Sequence, residues 1–518
     1  MFPLTRRWLA FGFLALASAP VRAVGGQSTC ATELRTLERR DVPPLNASRE
    51  MSASLLADVV QCSTNTLHKT WVLQPLTPRL RIFGSRGLPA AHDDGELWVG
   101  RGVSVALRAG FTVDGKFLHV AVAPELVSTE NTAFDHEPAR DTARSSFASP
   151  FYSLPSQSID LPTQFGVGSE MRITPGASAI WLSGFGVAGG ISTSLQAWGP
   201  GLRGSLLLGA SAGGIPRAFL RSANPMRTRI GVFDAVLFLG TVTESRYFDR
   251  DTSNNYRSMS AFGLTWSPDS AGLLALGAAR GVMHTSDRAL PEISRSIDAL
   301  RSTDTAADDL ISMFAKLGRP SDALSAWVEV ARNRKGFGSR SFLTLPYDAT
   351  GYIIGARGST GLRGQQLVVL AEAANLEQSE DVIGRAPKDF YAGTNVPQGW
   401  TQRGRPIGHW VGPGGQTQFI SIDWVRGRSR VGLYAERVRR NEDALFREYL
   451  AYPNRHDVSL EPGIRAALAW RGQEFALDVS NGKRLNFEFQ NATYLPSTRT
   501  VDVVMPRISF SVTPLSQR

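Results

Sequence analysis

The sequence predicts an all-β fold, a transmembrane antiparallel β-barrel that follows a small N-terminal helical module. Strand patterns follow one another over roughly 400 residues with few helical patterns between them. Their polar faces carry many charges of both signs, and no second apolar layer is large enough to cover so many strands. A soluble sandwich would hide its apolar faces inside, so these features favour a barrel whose apolar faces meet lipid.

The first 23 residues have the three parts of a secretory signal peptide. Arg6 and Arg7 give a positive start, residues 8–18 an apolar run, and residues 21–23 a small-residue cleavage site. The mature chain, from about residue 24, is therefore expected to leave the cytoplasm. After this segment no run approaches the ~18 continuous apolar residues of a membrane-spanning helix, which leaves strands as the means of crossing a bilayer.

Residues 24–88 are predicted to form a helical module and residues 89–518 the barrel. Helical periodicity places four apolar residues on one face of a helix in the module, namely Met51, Leu55, Leu56 and Val59. The chain has two cysteines, Cys30 and Cys62, which in an oxidising compartment are expected to form one disulfide. That disulfide would hold the helices of the module together.

Beyond about Gly95, apolar residues recur at every second position instead. The alternation is clearest near the C-terminus, through residues 474–480 and 508–512. Between such strands lie segments rich in Ser, Asp, Asn, Pro and Gly, which predict the long outer loops of a barrel. These segments are 129–163, 247–256, 289–309 and 378–400.

The chain is basic, with a formal net charge of +10 over 518 residues. Six of its 56 basic residues are lysines, so 50 are arginines. A GC-rich genome would explain this bias without any function. Alternatively, arginine forks suit the carboxylates and phosphates of acidic glycans or lipid head groups. Nucleic acid is not an expected partner, because the chain is exported and its charges are spread rather than clustered.

Two enzyme motifs occur without the structural context that each requires. Residues 209–213 fit the G-x-S-x-G nucleophile elbow around Ser211, yet Gly214 and Pro216 follow where the elbow needs a helix. Residues 184–189 fit the dinucleotide motif G-x-G-x-x-G, but a strand pattern continues after them. The seven histidines form no H-E-x-x-H and no H-x-H pair. We therefore predict no catalytic residue, no cofactor and no metal.

Several charged residues interrupt otherwise apolar strands. In a barrel they would point into the lumen and form opposite-charge ladders along its wall. Such ladders would hydrate the interior and fix strand register, or they would contact a ligand. The predicted lumen charge network consists of Glu329, Arg332, Arg357, Glu372 and Glu436.

The most distinctive stretch is a Gly/Pro turn between two apolar runs, with W-G-P-G at 198–201 and R-G-S-L-L-L at 203–208. It resembles the W-G-P-G-x-x-G-S-L-x-L signature of the Wzi-type capsule assembly family. Four further segments resemble motifs of that family in the same order along the chain. They are residues 256–268, 327–333, 372–376 and 399–412, the last of which contains G-R-P-I-G-H.

The resemblance implies an outer-membrane barrel of about eighteen strands with a periplasmic helical bundle. It also implies a lectin-like protein that holds capsular polysaccharide at the cell surface, without catalysis or metal. Expected partners are capsular or other acidic polysaccharide, outer-membrane lipid and the polysaccharide export machinery. Arginines would pair with acidic sugars and loop aromatics would stack on sugar rings. The candidate ligand-binding residues are Trp198, Arg203, Trp400, Arg403, Arg405 and Trp410.

Two other functions are compatible with parts of the sequence. A porin-like channel would share the barrel but would need an open lumen. A serine hydrolase would use Ser211 as its nucleophile with His284 or His409 as the base. Conductance in planar bilayers and labelling by a serine-reactive probe would distinguish these two functions from polysaccharide binding.

Overall fold

In the computed structural model, one short segment of the N-terminal region and most of the chain beyond residue 70 are described. The described residues are 55–58, 71–90, 92–139, 141, 144–151, 158–269, 272–301, 306–319, 322–333, 343–344, 349–362, 364–378, 390–427, 429–448, 455–490 and 501–514. The predicted signal peptide, Cys30 and Cys62 lie outside these residues. None of the helices within them is both long and apolar enough to cross a membrane.

The described chain forms a closed antiparallel barrel of eighteen strands, three of which are interrupted once, and this confirms the predicted fold. The first strand pairs with the last through Leu80–Ser85 and Arg507–Val512, which closes the sheet. The strands are β1 (Val72–Ser85), β2 (Gly102–Asp114), β3 (Leu118–Val122 and Glu125–Thr129), β4 (Glu170–Thr174 and Ala179–Gly184), β5 (Val187–Ser192), β6 (Arg217–Ser222 and Met226–Thr228), β7 (Gly231–Thr243), β8 (Tyr256–Ser267), β9 (Leu274–Ser286), β10 (Asp308–Leu317), β11 (Leu324–Asn333), β12 (Thr350–Leu362), β13 (Gln365–Asn375), β14 (Gln416–Arg426), β15 (Ser429–Arg440), β16 (Asp457–Trp470), β17 (Gln473–Leu485) and β18 (Val503–Pro514).

The two ends of the barrel differ in the length of their connections. At one end, consecutive strands are joined by two to six residues, and β1 begins and β18 ends there. At the other end the connections run from 12 to 40 residues. Membrane barrels of this type have short periplasmic turns and long extracellular loops, so the long-loop end is the extracellular one.

The outer wall of the barrel is apolar, as the alternation predicts. On β14, Ile420, Ile422 and Trp424 are exposed, whereas Ser421 and Asp423 between them are buried inside. The short-turn end also carries a girdle of exposed aromatic side chains, typical of a membrane interface. This girdle includes Trp71, Phe117, Phe185, Trp424 and Trp470. A wall that is polar inside and apolar outside belongs in a bilayer.

The structure corrects the predicted boundary between the helical module and the barrel. Residues 72–85, assigned to the module, form barrel strand β1. Pro75 and Pro78 are unusual residues for a strand, because proline cannot donate to a ladder. The strand accommodates them with a shift of its register against β2 between Leu76 and Arg79.

A second correction concerns the apolar face assigned to a helix in the module. Leu56–Asp58 is a short strand, which pairs with the short strand Gln196–Trp198. Leu56 is fully buried, and a Cβ on Gly263 of β8 would lie 2.7 Å from its side chain, so this segment lies inside the barrel. The remainder of residues 24–70 lies outside the described residues.

Few other elements occur in the described chain. The extracellular loop after β9 contains two 3-10 turns, Ile293–Arg295 and Asp298–Leu300. An α-helix, Glu442–Glu448, follows β15, and a 3-10 turn, Phe487–Phe489, follows β17. The short strands Thr401–Gln402 and Arg405–Pro406 form a hairpin within the loop between β13 and β14.

Candidate functional site

Two extracellular loops, residues 193–216 and 390–415, fold into the barrel and pack together. We call them the plug. Their apolar side chains belong to one buried cluster with inward-facing residues of the wall, and among them are Trp198, Leu206, Leu207, Trp400 and Ile407. The Trp400 indole donates a hydrogen bond to the carbonyl of Leu207 at 2.8 Å, and Gly209 N donates to the carbonyl of Ile407 at 2.7 Å. The most distinctive stretch of the sequence is therefore an interior element.

Glycine is required where the plug reverses direction at W-G-P-G. Gly199 has a φ of +116°, a backbone conformation that disfavours side chains. A Cβ at this position would also lie 2.4 Å from a carboxylate oxygen of Glu329. Gly199 N donates to the carbonyl of Leu55 at 2.8 Å, so the turn is tied to the short N-terminal strand as well.

Three glutamates of the wall bind the loop that follows this turn. Glu372 of β13 accepts hydrogen bonds from the backbone N–H groups of Leu202 at 2.7 Å and Arg203 at 2.8 Å. It also accepts one from the Trp327 indole of β11 at 2.9 Å. All three donors are directed at one carboxylate, which has almost no contact with water. Charge-assisted bonds of this kind are strong, so Glu372 is the principal anchor of the plug.

The other two glutamates lie on either side of this anchor. Glu329 of β11 accepts from Leu206 N at 3.0 Å and from the Ser312 hydroxyl at 2.8 Å. Glu436 of β15 accepts from the Arg203 guanidinium, 3.1 Å from each carboxylate oxygen. These carboxylates satisfy the buried backbone donors of Leu202, Arg203 and Leu206.

The predicted lumen charge network is thus partly assembled by the fold. Glu329, Glu372 and Glu436 meet at the plug, and Arg357 is on the inward face of β12. Arg332 does not share their face: it is three residues from Glu329 on an unbroken strand, and it has the outward register of the exposed Val328 and Val330. Successive side chains of a strand point to opposite faces of the sheet. Residues an odd number of positions apart, such as Glu329 and Arg332, therefore lie on opposite faces.

The candidate ligand-binding residues are in or beside the plug. Trp198 and Trp400 are 1% and 4% exposed, which leaves no ring face for a sugar. The Arg405 guanidinium donates to the carbonyls of Gly95 at 2.6 Å and Leu97 at 2.8 Å. Three others keep some exposure but have protein partners. Arg203 pairs with Glu436, Arg403 lies 3.6 Å from Glu96, and Trp410 donates to the carbonyl of Arg203.

The residues of the hydrolase hypothesis do not assemble. The buried Ser211 hydroxyl donates to backbone carbonyls of the plug, those of Pro406 and Gly408. His409 is also buried there, and burial lowers its pKa to about 3. His284 lies on the outward face of β9, 3.0 Å from Asp298. Among the described residues, no group of three or more His, Cys, Asp and Glu side chains is placed to hold a metal.

A cavity of about 270 Å³ remains between the plug and the wall strands β1 and β14 to β18. Its lining carries charges of both signs, and three of its arginines are paired with carboxylates. Arg81 is 2.8 Å from Glu125, Arg465 is 2.6 Å from Asp423, and Arg507 bonds Glu461. A lining that is neutralised in this way hydrates the interior more readily than it attracts an anion.

The extracellular end carries a feature that the sequence interpretation missed, a continuous row of aromatic rings. Successive ring centroids lie 4.4 Å to 5.9 Å apart. The rings come from three loops and are all partly exposed. In spatial order, this aromatic row consists of Trp98, Phe165, Tyr247, Phe147, His136 and Phe134. Four of the six rings lie in segments predicted as long outer loops, whereas Trp98 and Phe165 lie outside those segments.

Polar groups flank the aromatic row. The guanidinium of Arg246 lies 5.0 Å from the centroid of the Tyr247 ring and is well exposed, with Glu170 at 3.6 Å. Beneath the same loop, the buried Asp160 accepts hydrogen bonds from the N–H and hydroxyl of Ser245. These bonds and the cation–π contact hold the Tyr247 loop against its neighbours.

One acid in this loop has an unusual titration. The pKa of Glu244 is raised to about 8, mainly by burial and in smaller part by nearby Asp249 and Asp160, although a hydrogen bond from Gln398 opposes the shift. Gln398 belongs to the plug and also donates to the carbonyl of Asn254. The loop that carries Tyr247 is therefore tied to the plug through a carboxyl group that is neutral at pH 7.

The apolar outer wall, the unequal ends and the filled interior define a closed, membrane-spanning β-barrel. The family model for the capsule assembly protein Wzi matches residues 181–480. This match covers more than half of the chain, so the chain belongs to the Wzi capsule assembly family.

One solved structure shares the fold. An outer-membrane protein of Escherichia coli, Wzi, described as a carbohydrate-binding β-barrel involved in group 1 capsule assembly, has a TM-score of 0.57. It is 14% identical, with 96% of this chain and 100% of that chain covered. OccAB2 of Acinetobacter baumannii has a TM-score of 0.40 at 8% identity, with 84% of this chain and 97% of that chain covered. OccK7 of Pseudomonas aeruginosa has a TM-score of 0.40 at 11% identity, with 85% of this chain and 98% of that chain covered. No curated protein matches the chain.

Proposed function

We propose that this protein is a non-enzymatic outer-membrane barrel that binds acidic surface polysaccharide and holds it at the cell surface. Membership of the Wzi family and the similarity to a barrel described as carbohydrate-binding support this function. The observation that carries it is the aromatic row at the extracellular end. Contact with polysaccharide export machinery stays a prediction from the family resemblance.

The aromatic row has the shape and chemistry that a chain of sugars requires. The apolar C–H faces of sugar rings pack on aromatic faces, and the Tyr hydroxyl can bond to sugar hydroxyls at the same time. A row of partly exposed rings offers several such contacts in succession, which suits a polymer better than a single pocket does. Arg246 beside Tyr247 adds a group for a sugar carboxylate.

The plug favours this function over the porin-like channel. A channel needs a continuous aqueous path, whereas the described lumen contains two packed loops, one of which is hydrogen-bonded to Glu329, Glu372 and Glu436. We therefore expect no steady ion conductance from the purified barrel in planar bilayers. Long-lived openings of the unmodified chain would favour the channel instead.

The interior also gives no support to catalysis. The Ser211 hydroxyl donates to carbonyl oxygens, whereas a nucleophile must donate to a base. We therefore expect no labelling of Ser211 by a serine-reactive probe. Labelling at that residue would reopen the hydrolase hypothesis.

The proposed function can be tested by binding of the acidic surface polysaccharide of the source organism to the detergent-solubilised barrel. Phe147→Ala and Tyr247→Ala each remove one ring from the middle of the row. Each should weaken binding about 2- to 10-fold, because aromatic contacts contribute about 0.5–1.5 kcal/mol beyond area burial. The double variant should lose binding by about the product of the two factors.

Phe185→Ala is the matched control, because it removes a fully exposed ring from the short-turn end. It should bind like the unmodified chain. Heat-modifiable migration on a gel verifies that each variant is folded. Undiminished binding by the Phe147→Ala/Tyr247→Ala double variant, with folding intact, would refute the assignment of the aromatic row.

A further inference from the structure

The outer wall of the barrel has an unusual polar patch near the extracellular ends of β7 to β10. Strand register identifies its outward-facing members. Met259 and Met283 face each other across β8 and β9 and point inward, so their neighbours Ser260 and His284 point outward. Arg280 of β9 and Asp309 of β10 are outward as well, with their charged groups 2.6 Å apart. Uncovered charges on a lipid-facing wall are destabilising.

The extracellular loop at residues 287–301 covers this patch. The Ser260 hydroxyl donates to the carbonyl of Ser296 at 3.1 Å and accepts from Ala299 N at 3.2 Å. His284 is 3.0 Å from Asp298, and the Arg280 guanidinium donates to the carbonyl of Arg301. The loop thus lies flat against the outside of the barrel and does not project into solvent.

Further contacts hold the loop against the wall. Ala299 is buried in a small apolar cluster with Val282 of β9, with Phe262 of β8 packed beside it. At the other end of the loop, the Thr241 hydroxyl of β7 donates to the carbonyl of Ala289 at 2.9 Å. Four neighbouring strands therefore contribute to one docking surface for the loop.

The exposed side of the loop presents three large apolar side chains, beside charged residues at Asp287, Arg288 and Arg301. Ile293 is 84% exposed, Leu290 is 79% exposed, and Leu300 is more than half exposed. Exposed apolar side chains of this size are unexpected in an aqueous loop. They continue the apolar outer wall, whose exposed residues on the same strands include Leu264, Leu276 and Met313.

We propose that the loop at 287–301 is a membrane-interface anchor whose Leu290, Ile293 and Leu300 insert into the outer leaflet. Its inner side pairs with the wall charges, and its outer side presents apolar groups at the level where the wall meets the lipid head groups. Apolar side chains at such an interface contribute binding by burial in the boundary between head groups and acyl chains. The anchor rests on the membrane barrel and is independent of polysaccharide binding.

The anchor can be tested by spin labels on the full chain reconstituted in phospholipid vesicles. The labelled variants are the single substitutions Leu290→Cys and Ile293→Cys, and Thr252→Cys is the matched control. Thr252 is exposed in the extracellular loop between β7 and β8. Chain without an introduced cysteine, taken through the same labelling, provides the background from Cys30 and Cys62 that is subtracted.

Collision with oxygen, which concentrates in the bilayer, is then compared with collision with a water-soluble nickel chelate. Labels at 290 and 293 should collide more with oxygen than with nickel, and the label at 252 should do the reverse. Nickel access at 290 and 293 equal to that at 252 would overturn the proposal. Poor access by both reagents would also overturn it, because it would indicate a protein partner or a second copy of the chain on this face.

Discussion

Removal of the Glu372 carboxylate should release the plug from the barrel wall. The carboxylate accepts three hydrogen bonds in the buried interior, from Leu202 N, Arg203 N and the Trp327 indole. In Glu372→Ala all three donors lose their partner, and each unsatisfied buried donor costs about 1–3 kcal/mol. The loop should therefore lose at least about 3 kcal/mol of local stability, which is a factor of about 100 or more in its opening equilibrium.

Hydrogen exchange measured by mass spectrometry reports this opening directly. Peptides that span residues 199–208 should exchange about 100-fold faster in Glu372→Ala, because exchange follows the population of the open loop. Peptides from the barrel strands should keep their protection. Glu372→Gln retains one acceptor oxygen and should show a smaller effect than the alanine variant.

Asp423→Ala is the matched control for this experiment. It removes another buried wall carboxylate, which pairs with Arg465 and accepts no bond from the plug among the contacts of the described residues. Its effect should be confined to β14, β15 and β16, because Arg430 of β15 also lies 3.9 Å from its carboxylate. Equal protection of residues 199–208 in Glu372→Ala and in the unmodified chain would refute the role of Glu372 as an anchor. Brief conductance openings of Glu372→Ala in planar bilayers would support that role.

Three further predictions follow. Glu244 has a folded pKa of about 8, above its ordinary 4.5, so its contribution to stability is full below pH 4.5 and is lost as the pH rises toward 8. The gel-shift temperature should fall over that range and fall less in Glu244→Gln. Gly199→Ala should destabilise the plug by at least about 1 kcal/mol, through strain and the collision with Glu329, and accelerate exchange at 199–208. Intact-mass measurement without reduction should find Cys30 and Cys62 disulfide-bonded, and two free thiols would contradict this.

The fold was predictable because alternation over many strands is a repeated signal. Each strand contributes independently, so one atypical strand such as β1 with its two prolines does not obscure the whole. Its own assignment failed, since the register shift between Leu76 and Arg79 depends on β2, which is adjacent in space. The assignment of Leu56 failed for a similar reason, because its strand partner is Trp198, far away in the sequence.

The site was harder to predict because it depends on which side of the wall each residue faces and on how the loops fold. Residue type suggested that Glu329, Glu372 and Glu436 share the lumen, and they do, but it could not show that their partner is the W-G-P-G loop. Tryptophans attracted attention as sugar contacts, yet Trp198 and Trp400 are core residues of the plug.

The aromatic row could not be assembled from sequence alone. Its rings come from the loops before β2, between β3 and β4, and between β7 and β8, and these loops meet only when the barrel closes. Trp98 and Phe165 lie 4.4 Å apart, although 67 positions separate them in the chain. The residue types of these loops are visible in the sequence, but their spatial order is not.

The most direct test of polysaccharide retention is made on cells of the source organism from which the gene has been deleted. Polysaccharide bound to cells and polysaccharide shed into the medium are measured after complementation with the unmodified chain or with the Phe147→Ala/Tyr247→Ala variant. The unmodified chain should restore cell-bound polysaccharide, while the variant, present at an equal level in the outer membrane, should leave most of it in the medium. Equal retention by the two chains would contradict the proposed role of the aromatic row, and unchanged retention after deletion would contradict the proposed function itself.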